Sequence, residues 1–202
     1  ALAPRPANIS GMYPAAIQTD AGFCTVLEKR ADAVALLNQF SIVSEKAGGR
    51  ATGNPATDEL VAVPYQVAYA DDMKAVSNEL RSAAALLAGD PSEAAFKAYL
   101  EAAAQAFLDG SWFKADVAWK AMTATNSKWY LRVAPDEVYA EPCSRKANFA
   151  LTFARINQES LEWQRRLEPV KDDMEAALAA LAGPPYKARP VGFALPDFID
   201  IV

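Results

Sequence analysis

Val133-Ala134-Pro135-Asp136-Glu137-Val138-Tyr139, with Arg145-Lys146-Ala147-Asn148-Phe149-Ala150 close behind it, is the stretch on which the reading of this chain turns. The run Lys128-Trp129-Tyr130-Leu131-Arg132-Val133 leading into it has the aromatic and β-branched composition of a strand. It ends in a turn, with a glutamate and a tyrosine two residues apart. A second strand composition covers Ala147 to Ile156. The other segments show helical spacing, so the expected fold class is α+β, predominantly helical, with a few short strands.

Upstream, residues 1–19 contain Pro4, Pro6, Gly11 and Pro14 and read as an irregular arm ahead of a mostly helical unit, 20–202. Asp20 reads as the N-cap of a long helix from about Ala21 to Ala47, with Phe23, Val26, Leu27, Val34 and Leu37 near the helical period. Gly48-Gly49 stops it, and Arg50 to Glu59 is a loop. Residues 60–69 fit either a short strand or the entry to a helix from Tyr65 to Leu87. Asp90-Pro91-Ser92-Glu93 is the clearest helix start in the chain: an N-cap carboxylate, proline at the first position and an acid in the first turn. Behind it Phe96, Tyr99, Leu100, Ala103, Phe107 and Leu108 share one face. A shorter helix follows, carrying Trp112, Val117, Trp119 and Met122.

Downstream of the strand-containing segment, about 127–156, a long helix is expected from Asn157 to Ala182, kinked at Pro169. Its stripe is Leu161, Leu167, Val170, Met174, Leu178 and Leu181. Gly183-Pro184-Pro185 ends it, and an extended tail covers 184–202. The tail closes on the apolar run Phe198-Ile199-Asp200-Ile201-Val202, which must pair with something. The expectation is that the polypeptide continues past Val202.

With 202 residues the chain is long enough for a substantial core, and 52% hydrophobic and 22% charged residues are ordinary globular values. A formal charge of -5 without a basic stripe argues against nucleic acid, and no apolar run is long enough for a membrane helix. There is no histidine. That removes Ser-His-Asp and Cys-His nucleophiles and the His-Glu-x-x-His zinc helix. Cys24 and Cys143 have no partners at metal-ligand spacing and fit either a disulfide or two buried thiols. Asp71-Asp72 and Asp172-Asp173 read as solvated helix faces, and the four tryptophans as core or as a cleft lining. The opening Ala1-Leu2-Ala3-Pro4-Arg5-Pro6 suits signal-peptide cleavage or a proteolytic fragment, and leans the localisation towards periplasm or secretion.

From about Phe96 onward the chain resembles the dipeptidyl peptidase III family and its bacterial zinc-metallopeptidase relatives. Asp116-Val117-Ala118-Trp119 matches an Asp-x-x-Trp helix motif. Val133 to Tyr139 matches a strand of the form Ile-Gly-Pro-x-Glu-x-Tyr, and Lys146-Ala147-Asn148-Phe149 matches Lys-Ala-x-Phe. Ala134 stands where the family has Gly, Glu141 where an Asp is common, and the spacing from Tyr139 to Lys146 is about one residue shorter. The family's histidine helix has no counterpart here.

The resemblance implies the amino-terminal, non-zinc-binding lobe of a two-lobed cleft peptidase. Its peptide substrate would lie against a second part, either a following segment or a companion chain, that supplies the zinc ligands. Tyr139 would stabilise the transition state, and Glu137 would bind the substrate amino terminus or fix the strand. No metal ligand is expected in this chain. The competing reading is a non-enzymatic helical binding or scaffold module, or a pseudo-enzyme.

Overall fold

Residues 9–192 and 199–201 are described by a computed structural model. The first eight residues of the expected arm, and Phe198 and Val202 of the terminal run, lie outside them. Within the arm, a 3-10 turn at Ile17–Thr19 and the Gln18 amide, bonded to the backbone of Ser10 and Tyr13, bring Tyr13 and Ile17 into the interior.

The long helix expected over 21–47 does not form. In its place stand two short helices, α1 (Phe23–Glu28) and α2 (Ala33–Leu36), then a strand, β1 (Ser41–Glu45). Three interactions redirect the chain. The Asp20 carboxylate accepts from the Gly22 amide at 2.8 Å, making a tight turn instead of a long-helix cap. The Arg30 fork grips Asp32 and donates to the carbonyls of Pro55 and Asp58, pulling the backbone between α1 and α2 onto the following loop. Ile42 and Val43 then find Val63 and Ala62 on β2 (Leu60–Pro64), the antiparallel partner of β1. A periodicity read over one segment cannot register a partner that lies 20 residues away.

Residues 60–69 satisfy both sequence readings: β2 ends at Pro64, and helix α3 (Tyr65–Ala68) begins at the next residue. The backbone turns at Tyr69, and α4 (Ala70–Leu86) follows. Asp90 caps a 3-10 turn over Pro91–Glu93, accepting from the Ser92 amide, and α5 (Ala94–Asp109) runs on from it. Gly110, in the left-handed region at φ 72°, closes α5. Phe96, Tyr99, Leu100, Ala103 and Phe107 are buried as expected, whereas Leu108 points outward. Helix α6 (Phe113–Ala121) is short.

Strands β3 (Trp129–Glu137) and β4 (Asn148–Ile156) pair antiparallel, and β5 (Ile199–Ile201) adds to β4 opposite Ala154–Ile156. Ile199–Ile201 of the terminal apolar run thus pair with β4 inside the chain. Between β4 and β5, the expected 157–182 helix is broken at Pro169 into α7 (Ser160–Leu167), a 3-10 turn and α8 (Lys171–Ala182). Its stripe is not buried. Val170, Met174, Leu178 and Leu181 all face outward.

Two hydrophobic clusters result. One gathers Tyr13, Ile17, Phe23, Leu27, Leu36, Val43 and Leu60 around the β1–β2 hairpin. The larger one joins α4, α5 and α6 to β3 through Leu80, Tyr99, Leu100, Phe107, Trp112, Leu131 and Val133. Buried Glu93 ties the start of α5 to β3, accepting from the Ser127 hydroxyl and the Lys128 amide. Cys24 on α1 and Cys143 after β3 form a disulfide across 119 residues of sequence. Closing so long a loop restricts the unfolded chain, so Cys24→Ser with Cys143→Ser lowers stability by about 2–5 kcal/mol. A fall in the urea midpoint, with a slope that steepens as the freed unfolded chain exposes more surface, checks this; an unchanged midpoint contradicts it.

Candidate functional site

Glu137 is the last residue of β3, and its position is set by a bulge. Pro135 pairs with Phe149 and Glu137 with Asn148, so Asp136 is an extra residue on β3. Up to Pro135 the odd-numbered residues of β3 share a face with Phe153, Leu151 and Phe149. After the bulge, Glu137 stands opposite Asn148 and so moves to the other face, that of Arg132 and Ala134. Tyr139 follows in the turn, 73% exposed, and Glu137 is exposed too. Neither side chain makes a hydrogen bond or ion pair with another described residue. They stand near each other at the end of one strand, free to meet another molecule.

Arg132 holds that bulge. Its guanidinium meets the Asp136 carboxylate through Nε, at 3.1 Å to both oxygens, and through Nη2, while Nη1 reaches Asp116 at 2.9 Å. Its plane lies over the Trp119 ring, 4.9 Å from the centroid. Asp116 and Trp119 are three apart on α6 and so share a face. One supplies charge to the edge of the guanidinium and the other supplies a surface beneath it. Burial lowers the affinity of Arg132 for its proton, but the two carboxylates outweigh this and raise it above the ordinary range. The Asp-x-x-Trp pattern of the sequence is therefore a cradle for an arginine that sequence reading did not single out. The Tyr99 hydroxyl, close to the same arginine, accepts from the Val133 amide and donates to the Val133 carbonyl.

The loop after Tyr139 is clasped from within. The buried Glu141 carboxylate accepts from the amides of Cys143, Arg145 and Lys146, a turn completed by Ser144 at φ 52°. Lys146 is fully buried and donates to the carbonyls of Leu36 and Asn38 and to the Ser41 hydroxyl. Arg145 pairs with Glu28 on α1, beside the Cys24–Cys143 bridge. Burial, with Glu141 nearby, pushes the Tyr13 phenol well above its ordinary range. The Arg145-Lys146 pair is thus taken up in structural contacts. Arg165 and Arg166 are likewise occupied, by Glu162.

A cavity of about 1030 Å³ lies elsewhere, a groove between α4 and the β3–β4 sheet. Neither Glu137 nor Tyr139 lines it. Of the tryptophans, Trp129 lines it, Trp112 packs in the core against Phe107, Trp119 supports Arg132 and Trp163 is exposed. Among the described residues no three His, Cys, Asp or Glu stand together as a metal site, and both cysteines are bonded to each other. The residues present do not fit zinc. Nor, among the described residues, is any helix long and apolar enough to cross a membrane.

No protein-family model matches the sequence, and no curated protein matches it significantly. Two solved structures match the fold. The dipeptidyl peptidase III of Caldithrix abyssi is 24% identical, with a TM-score of 0.61 over 83% of this chain and 29% of its own. The dipeptidyl-peptidase III of Corallococcus sp. strain EGB is 22% identical, with a TM-score of 0.62 over 98% of this chain and 34% of its own. This chain has the fold of one part of those proteins and spans about a third of their length.

Lys146 generates a pH dependence. Burial drags its ammonium down from 10.5 to about 8, partly countered by the Glu141 carboxylate. Between those values the unfolded chain binds more protons than the folded one, so the Lys146 contribution to stability rises with pH. The buried phenols of Tyr13 and Tyr65, raised chiefly by burial, act in the opposite sense above pH 10. Compared with Lys146→Met, the wild-type chain should therefore gain stability between pH 8 and 10, read by urea unfolding. A constant gap between the two contradicts the assignment.

Proposed function

We propose that this chain is the part of a dipeptidyl peptidase III-like zinc peptidase that carries no zinc ligand, and that it supplies one wall of the substrate cleft. The observation that carries this reading is Tyr139, standing 73% exposed and unpartnered at the end of a bulged strand, within a fold shared with two dipeptidyl peptidases III. The hydrolytic machinery would be completed by residues outside these 202, which would also hold the zinc.

The chemistry open to this chain's own residues is hydrogen bonding and charge. As a peptide carbonyl becomes tetrahedral its oxygen gains negative charge, and a phenol O–H placed about 2.7–3.1 Å away stabilises that oxygen more than the ground-state carbonyl. Tyr139 takes this role. Glu137, an exposed carboxylate two residues earlier, pairs with the protonated amino terminus of the peptide. The β3 bulge aims it, and Arg132 with Asp136 holds the bulge. Placing an anion-stabilising donor beside an ammonium-binding carboxylate suits removal of short pieces from the peptide amino terminus.

In the complete, zinc-loaded protein, Tyr139→Phe should lower kcat about 100- to 1000-fold. The melting temperature should stay within about 2 °C, because an exposed side chain without a partner contributes little to stability. Peptide turnover with a chelator control measures the first, and a thermal melt the second. Unchanged turnover in Tyr139→Phe would overturn the catalytic assignment. Intact mass of source material showing neither a longer polypeptide nor a histidine-bearing companion would favour the helical binding module or a pseudo-enzyme.

A further inference from the structure

The groove between α4 and the β3–β4 sheet has the wrong composition for a substrate cleft. Met73, Val76, Leu80 and Leu86 of α4 face Leu131, Val133, Phe149, Leu151 and Phe153 across it. Among the described lining residues only Asp72 and Glu79 are charged, seven apart on the same side of α4 and unpaired with any described residue. A small-molecule site of this size carries convergent polar groups that orient the ligand. Here the apolar walls run out onto the surface, with Leu86 88% and Leu151 71% exposed. The alternation on β4 is inverted at this face: Phe149, Leu151 and Phe153 are its more exposed residues, and Ala150 and Ala154 its more covered ones. Contiguous apolar surface of this kind marks an interface.

We infer that this groove is the docking seat for an apolar, basic-flanked segment of the same longer polypeptide, from the part that lies outside these 202 residues. The inference rests on the proposed identity of the chain as one part of a dipeptidyl peptidase III-like protein. The occupant is argued from length and from charge. In both similar structures the matched region is 29–34% of a single chain, so about two thirds of the same polypeptide remains to cover it. Asp72 and Glu79 at the α4 rim call for lysine or arginine on the segment's flank, and the aromatic floor calls for its apolar side chains. The outward stripe of α8, Val170, Met174, Leu178 and Leu181, is a second uncovered apolar face and indicates that more than one surface of this chain is built to be buried.

The test places a benzophenone amino acid at Leu151, and separately at Leu86, in the complete polypeptide, with Val34 on α2 as an exposed site away from the groove. After irradiation, cross-linked peptides are mapped by mass spectrometry. Leu151 and Leu86 should both label one segment outside residues 1–202, apolar with a flanking basic residue, and Val34 should not. Adding Asp72→Lys with Glu79→Lys should reduce that cross-link at least several-fold. If a longer, zinc-binding polypeptide exists but the groove positions label a second copy, a lipid or nothing, the docking inference fails while the peptidase reading stands. If no longer polypeptide exists, both fail together.

Discussion

Lys146 carries an ammonium group into the interior between the two hydrophobic clusters, where it binds the carbonyls of Leu36 and Asn38 and the hydroxyl of Ser41. Burying such a charge is unfavourable by several kcal/mol unless its donors are all occupied. The consequence is directional. The end of α2, the start of β1 and the start of β4 meet at this point, because each contributes to satisfying the ammonium or carries it. The next residue, Ala147, continues the junction: its amide donates to Gln39 and its carbonyl accepts from Tyr65. The Cys24–Cys143 bridge and the Arg145–Glu28 pair hold the same junction covalently and electrostatically.

This junction brackets the loop that follows Tyr139. Glu141 turns the loop back by gathering three amides, while on its other side Arg132 fixes the Asp136 bulge from the α6 cradle. Glu137 and Tyr139 lie between these two anchors without a partner among the described residues. Under the proposed function this suits binding and transition-state stabilisation, since a preorganised donor needs no reordering when charge develops. The residues near this site divide cleanly: Asp116, Trp119, Arg132, Glu141 and Lys146 position, whereas Glu137 and Tyr139 are available.

The apolar groove and the outward stripe of α8 stand apart from that arrangement. Both are amphipathic faces of the ordinary kind, correct in period and left uncovered by the described residues. An isolated reading of either would assign it to a core.

The sequence by itself determined the class of the fold, the α5 helix start at Asp90-Pro91, the two strand segments that become β3 and β4 and the interruption at Pro169, because each is encoded in a few neighbouring residues. It also determined that no histidine chemistry is possible, and it marked Glu137 and Tyr139 as the residues to watch. It did not determine the fate of 21–47, where helical spacing yields to the Arg30 contacts and to pairing of β1 with β2. Nor did it reveal the disulfide, Arg132 or the buried Lys146. Arg132 was hidden in a strand pattern and Lys146 in a charged pair that reads as solvated. Their roles depend on partners up to 110 residues distant, and only the tertiary structure brings such groups close enough for charge and hydrogen bonding to act.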